Sequence, residues 1–125
     1  VVRVVGKGVN RWSNVHIDDV VDLYLLALEK TAPGVFYFVE SGEASFRDMS
    51  EAMAKALNLG PAQDWPLEQA KEEWGYEMAS YGLGSNSRVR GQRARTQLGW
   101  QPHRPSVLEW IAGEMLQDHE AAPVI

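Results

Sequence analysis

Residues 10–30, NRWSNVHIDDVVDLYLLALEK, open with polar and aromatic side chains, pass through a His-x-Asp-Asp cluster and run into a stretch with almost no polar face. Carboxylates at 18 and 19 suit the amino end of a helix, where they satisfy free amides and complement the macrodipole. The pattern predicts a helix over 18–30, closed by Glu29 and Lys30. Positions 20, 21 and 23–28 are apolar or mostly so, with only Asp22 between them. A helix that is hydrophobic on all sides belongs inside a larger body, packed on both faces.

A second segment makes the same demand. The run VFYFV at 35–39, just after a Pro33-Gly34 turn, reads as a buried central strand with neighbours on each edge. The remaining elements are modest. VVRVVGKG (1–8) is a short strand ending in a Gly-x-Gly turn, and RWSNVHI (11–17) is a second extended piece, so the two predict a hairpin. Ser45, three residues before Asp48, starts a helix over 46–60 in the manner of a capping box. Another helix follows Pro66 and stops at Gly75; residues 80–87 are loop; a helix from about 91 ends at Gly99. A last one runs from near Pro105 towards His119, with Val107, Leu108, Ile111 and Met115 on one side.

These strands are too few to flank a central one in a sheet of ordinary size. The chain is therefore expected to be a piece of a larger α/β protein, to associate with copies of itself through the apolar surfaces, or to exchange strands with a copy. It begins at Val1 without an initiating methionine, which favours the first expectation.

Composition narrows the function classes. A chain of 125 residues suits one domain, 45% hydrophobic and 23% charged residues place it among folded proteins, and a net charge of −5 provides no overall basic field for nucleic acid or an anionic membrane. With no cysteine there is no disulfide framework, zinc-thiolate site or thiol nucleophile. No apolar run approaches the ~20 residues that span a bilayer, and the start lacks a secretory signal, so a cytoplasmic location is expected.

Two separated motifs, G-x-G-x-N-R-W-S-x-V-H-I-D-D-V and G-x-R-A-R-x-x-L-G-W-x-P, with VFYFVES between them, resemble the carboxy-terminal portion of the NAD-dependent epimerase/dehydratase family, the extended and atypical short-chain dehydrogenases. Gly6, Gly8, Trp12, Val15, His16, Asp18, Asp19, Leu98, Gly99, Trp100 and Pro102 carry the likeness, over roughly residues 5–112. The resemblance implies an α/β, incomplete Rossmann-type protein: residues 1–125 as one helix-rich, substrate-binding portion with few strands, its amino-terminal dinucleotide-binding domain absent. It implies oxidoreductase, epimerase or dehydratase chemistry with NAD or NADP, and the Rossmann domain of the same gene product as partner.

The sequence itself supplies neither cofactor loop nor catalytic pair. Such a loop needs glycines at a strand-to-helix turn that faces the pyrophosphate, and neither Gly6/Gly8 nor Gly82/Gly84 opens a convincing one. Tyr24, Tyr37, Tyr76 and Tyr81 are followed four residues later by Leu28, Ser41, Ser80 and Ser85, never by the lysine that the family's acid/base tyrosine requires. No residue of this chain is therefore assigned a catalytic or cofactor-binding role, and the chain alone is expected to be inactive. The alternative is a non-enzymatic binding or oligomerisation module derived from the same fold.

Candidate sites remain. His16, Asp18 and Asp19 form a structural motif, with His16 donating to a carbonyl or carboxylate and an aspartate capping the helix; a metal is disfavoured because helix-borne pairs use i, i+4 spacing and further ligands are lacking. Asn10, Arg11 and Trp12 form a candidate substrate-binding wall. Arg11 either binds a phosphate bidentately, as a matching arginine does in sugar-nucleotide members, or packs its stem over Trp12. Arg88, Arg90, Arg93 and Arg95 read as a solvated face. Glu40 and Ser41 lie at the carboxyl end of the predicted strand, where α/β sheets bind ligands. Trp100 and Trp110 are expected in packing, with Trp65 or Trp74 reaching a pocket.

Overall fold

The β-branched run at the start of the chain pairs with a partner far away in sequence. In the computed structural model, which describes residues 1–117, strand β1 (Arg3–Val5) lies parallel to β4 (Gln63–Trp65), with Val5 opposite Trp65. Strand β2 (Arg11–Asn14) lies antiparallel to β3 (Gly42–Ser45), with Arg11 opposite Ser45. The expected hairpin between 1–8 and 11–17 does not form. Gly6 and Gly8 both take left-handed backbone, φ 60° and 69°, and carry the chain from one sheet to the other. At Gly8 a side chain would stand 2.8 Å from the backbone nitrogen of Arg47, which donates to the Gly8 carbonyl at 2.8 Å. The turn is held against a helix instead of closing a hairpin.

Helical segments make up most of the remaining described residues. They are α1 (Ile17–Lys30), α2 (Phe46–Ala56), α3 (Leu67–Trp74), a π-helix (Met78–Leu83), α4 (Gln92–Leu98) and α5 (Val107–Gly113). The Ser45 hydroxyl caps α2 by accepting from the Asp48 amide at 3.0 Å, as its spacing predicts. The helix stops short of Gly60, because Asn58 turns left-handed (φ 53°) and the Leu59 amide returns to the Ala54 carbonyl. Gly75 and Gly99 end α3 and α4 with positive φ, as expected. The predicted loop at 80–87 begins as the end of the π-helix; the last helix, expected from near Pro105 towards His119, ends at Gly113, with a turn at Glu114 and helical backbone again at 115–117, and residues 118–119 lie outside the described residues.

Among the described residues two small clusters stand out in the core, beside single buried side chains such as Ala54 on α2 and Ile111 on α5. Val5, Trp65, Ala70 and Ala79 pack where β1 and β4 meet α3 and the π-helix; Leu23, Ala94, Leu98 and Trp100 pack where α1 meets α4. Alanine at the contacts lets these elements approach closely. The second cluster is extended by Leu26, Ala27, Tyr37 and Val39, so residues 35–39 lie along it.

Those residues do not form the predicted central strand. They have no regular secondary structure, and no strand pairs with them among the described residues. The period of two survives: Tyr37 and Val39 face the core, whereas Phe36 and Phe38, whose rings meet edge to face at 5.0 Å, are 65% and 52% exposed. The expectation of burial on both sides also fails for α1. Asp19 and Leu23 are buried, but Ile17, Val21, Tyr24, Leu25 and Leu28 form an open stripe, Leu28 being 82% exposed. The described part of the chain provides nothing large enough to cover it.

Candidate functional site

The three residues of the predicted substrate wall, Asn10, Arg11 and Trp12, sit together where the Gly6–Gly8 turn enters β2, with their polar groups engaged inside the protein. The Asn10 amide nitrogen donates to the carbonyls of Leu83 and Ser85 at 3.0 and 2.8 Å, and the Trp12 indole donates to Ser85 at 3.0 Å. The Trp12 ring stands edge-on to Phe46, 5.4 Å away. Both side chains pin the stretch that leaves the π-helix. Residues 87–89 then run along β2, the Ser13 amide donating to Ser87 at 2.8 Å and the Ser87 amide to Arg11 at 3.0 Å.

Arg11 reaches across the sheet to Glu43, and there the arginine-rich segment arrives as well. Arg11 Nε lies 3.0 Å from Glu43, Arg88 donates through Nε and Nη2 at 2.9 and 2.8 Å, and Arg90 through Nη1 at 3.0 Å. Arg95 is tied to the buried Glu40 at 2.8 Å and lies over the Trp100 ring, while Arg93 donates to the Phe36 carbonyl at 3.0 Å. The expected solvated face is thus a set of specific pairings. The hydrogen bonds from Arg88, then Arg90, hold the Glu43 carboxyl down to about 2 from its ordinary 4.5. Its attraction is in force above the ordinary carboxylate value and is lost as pH falls towards 2. Sequence spacing could not have found Glu43, because its partners lie 32 to 47 residues away.

The His-x-Asp-Asp motif is a joint, built differently from the expectation. His16 itself caps α1: Nδ1 accepts from the Asp18 amide at 3.1 Å, which places the proton of this tautomer on Nε2. Asp18 is exposed. Asp19 is 1% exposed and caps nothing; its carboxylate accepts the backbone amides of His103 and Arg104 at 2.7 and 3.0 Å, and its carbonyl accepts the Trp100 indole at 3.0 Å. Beside this joint lies a largely apolar cavity of about 300 Å³, walled by Val15, His16, Ile17, Arg104, Val107 and Trp110. Among the described residues no three His, Asp or Glu side chains gather as metal ligands.

The glycine pairs do not form a dinucleotide cradle. Gly6 and Gly8 lead into a strand, and Gly82 and Gly84 lie within and just after the π-helix, so neither pair opens a strand-to-helix turn; the first-turn amide of α2 nearest Gly8, that of Arg47, is already taken by the Gly8 carbonyl. One tyrosine–lysine meeting exists in space although not at family spacing: Lys71 Nζ lies 5.1 Å from the centre of the Tyr76 ring, and the Tyr76 and Tyr81 hydroxyls are 3.4 Å apart. The hydrogen bond with Tyr76, then burial, pushes Tyr81 above its ordinary value. That is the wrong direction for a tyrosine poised to give up its proton near neutrality. Of the two tryptophans expected near a pocket, Trp65 is buried in the core and Trp74 is half exposed; both border a second open cavity of about 470 Å³ beside β1.

No protein-family model matches the chain. Over 108 residues it is 32% identical to an uncharacterized protein of Saccharomyces cerevisiae, covering 86% of this chain and 35% of that protein. Over 109 residues it is 31% identical to the 3-diazoavenalumate denitrifying reductase of a Streptomyces species, covering 87% and 35%. With the oxidase ucsJ of an Acremonium species it shares 27% over 137 residues, covering 94% and 39%. Among solved structures, RMD from Pseudomonas aeruginosa complexed with NADPH superposes with a TM-score of 0.64 at 20% identity, over 96% of this chain and 36% of that one. A functionally unknown conserved protein from Silicibacter pomeroyi gives 0.68 at 22%, over 88% and 39%. The chain thus spans little more than a third of the proteins it matches, and its mixed α/β fold is one found within larger proteins, an NADPH complex among them.

Proposed function

We propose that this chain is the substrate-binding, carboxy-terminal portion of an NAD(P)-dependent reductase-like protein of the epimerase/dehydratase type, working against a dinucleotide-binding domain of the same gene product. The carrying observation is the open apolar surface made by the outer stripe of α1 and by Phe36 and Phe38. Burying each large side chain of such a surface favours association by about 1.5–3 kcal/mol, and a parallel sheet with helices on its faces would use both the stripe and the unpaired segment. Relatives named as a reductase and an oxidase, and a structural neighbour complexed with NADPH, support redox chemistry with nicotinamide.

In this reading the cofactor is held by the partner domain, and residues of this chain close over a small-molecule substrate. Asn10 and Trp12 fix the wall through the π-helix exit, and Arg11 presents a cation beside it. The rival is self-association through the same apolar surface, without enzymatic activity. NADPH fluorescence titration separates the two. The chain alone leaves the emission unchanged, and a polypeptide that also carries the Rossmann segment enhances it saturably. Saturable enhancement by the chain alone, or a defined oligomer in sedimentation that protects Leu25 and Leu28 while the longer polypeptide stays inert, would overturn the reading.

A further inference from the structure

The cap of α1 leaves a strong donor unused. His16 Nδ1 accepts the Asp18 amide at 3.1 Å, so the imidazole is neutral and its proton sits on Nε2, at the far side of the ring. No acceptor among the described residues takes that proton, although the side chain is only 13% exposed. The same residue walls the cavity of about 300 Å³ between the start of α1 and α5. Asn14 lines that cavity too. Its amide nitrogen donates to the Trp12 carbonyl at 3.4 Å, and its Oδ1 receives no hydrogen bond from the described residues. The capping role accounts for Nδ1 of His16; it accounts for neither Nε2 nor the Asn14 oxygen.

Size and charge narrow what fits. The apolar walls come from Val15, Ile17, Val107 and Trp110. An apolar cavity of about 150 Å³ takes a benzene-sized guest, so this one has room for a substituted aromatic ring. Arg104, the cation of the lining, is already outnumbered: it is ion-paired with Glu114, and its Nε lies 3.8 Å from Asp18. A further anion would meet two carboxylates there, so the cavity suits a neutral guest. A hydroxyl matches the two unused groups at once, its oxygen accepting from His16 and its hydrogen going to Asn14.

We propose that this cavity binds a neutral phenol, with the ring against Val107 and Trp110 and the hydroxyl held by His16 and Asn14. It lies at the opposite end of β2 from Asn10 and Arg11, whose side chains turn to the π-helix exit and to Glu43. The site does not rest on the function proposed above.

The test is a titration of the isotope-labelled chain, followed by NMR, with para-ethylphenol, ethylbenzene and para-ethylbenzoate. The expected result is saturable shifts at residues 14–17 and 107–110, with the phenol bound about tenfold more tightly than ethylbenzene, which has the ring without the hydroxyl. The benzoate binds more weakly than either, because its charge meets Asp18 and Glu114. His16→Asn retains an acceptor for the cap but loses the imidazole donor, and in it the phenol and ethylbenzene affinities converge to within about twofold. Val107→Phe fills the cavity from the first position of α5 and abolishes the binding of both. Absence of saturation, shifts centred elsewhere, a hydroxyl preference that survives in His16→Asn, or tightest binding by the benzoate would overturn the site. An affinity that falls as protein concentration rises would assign the cavity to a second copy of the chain and overturn it as well. None of the probes is a nicotinamide, so the NADPH titration and this one fail separately.

Discussion

On its inner side α1 is complete: Leu23 is buried against Ala94, Leu98 and Trp100, and every oxygen of Asp19 accepts a hydrogen bond from residues 100–104. On its outer side Ile17, Val21, Tyr24, Leu25 and Leu28 repeat at helical spacing and are left half exposed or more by the described residues. One helix therefore serves two tasks that this chain can separate. The inner side decides whether the described fold holds; the outer side has no structural reason, within this fold, to be apolar.

Substitutions that divide the two sides follow from the contacts. The largest loss is expected for Trp100→Ala, about 3–5 kcal/mol in urea unfolding, because the ring is almost fully enclosed and its indole holds the Asp19 carbonyl. A loss below about 1 kcal/mol would mean that the inner side does not anchor the helix. Asp19→Asn keeps the shape but gives up charge and one acceptor, leaving a backbone amide of residues 103–104 unpaired; about 1.5–3 kcal/mol should go. His16→Ala should cost about 1 kcal/mol through the lost cap, and His16→Asn should return most of it. Leu28→Glu should change the stability of the chain by no more than about 0.5 kcal/mol, yet, on the function proposed above, abolish the NADPH enhancement expected of a polypeptide that also carries the Rossmann segment. A large destabilisation of the isolated chain by Leu28→Glu would erase the distinction between the two sides.

The sequence makes local structure readable and long-range structure much less so. The Ser45 cap, the Gly75 and Gly99 stops and the body of α1 follow from spacing, since each depends on neighbours within a turn. The β1–β4 pairing joins residues sixty apart, so the adjacent extended piece at 11–17 offered a hairpin that the Gly6–Gly8 route excludes. Ser45 reads as a helix cap, whereas the strand over 42–45 that ends at it comes from backbone pairing with β2. The run at 35–39 has the composition of a central strand, and composition follows the environment that a segment is built for, which the described residues do not supply. At the site, grouping Asn10, Arg11 and Trp12 needed only their adjacency. Glu43 and the role of Asp19 needed the fold, because hydrogen-bond partners 32 to 85 residues away leave no periodic trace.

Gly91 shows how closely the segment at 35–39 is seated: a side chain there would come within 3.1 Å of the Phe38 carbonyl and 3.3 Å of the Glu40 amide. Held so tightly on one flank, the stretch shows Phe36 and Phe38 on the other, two rings at least half exposed that meet edge to face. At high protein concentration an exposed apolar patch of this kind favours association between copies of the chain, and replacing both rings by serine should lower that tendency.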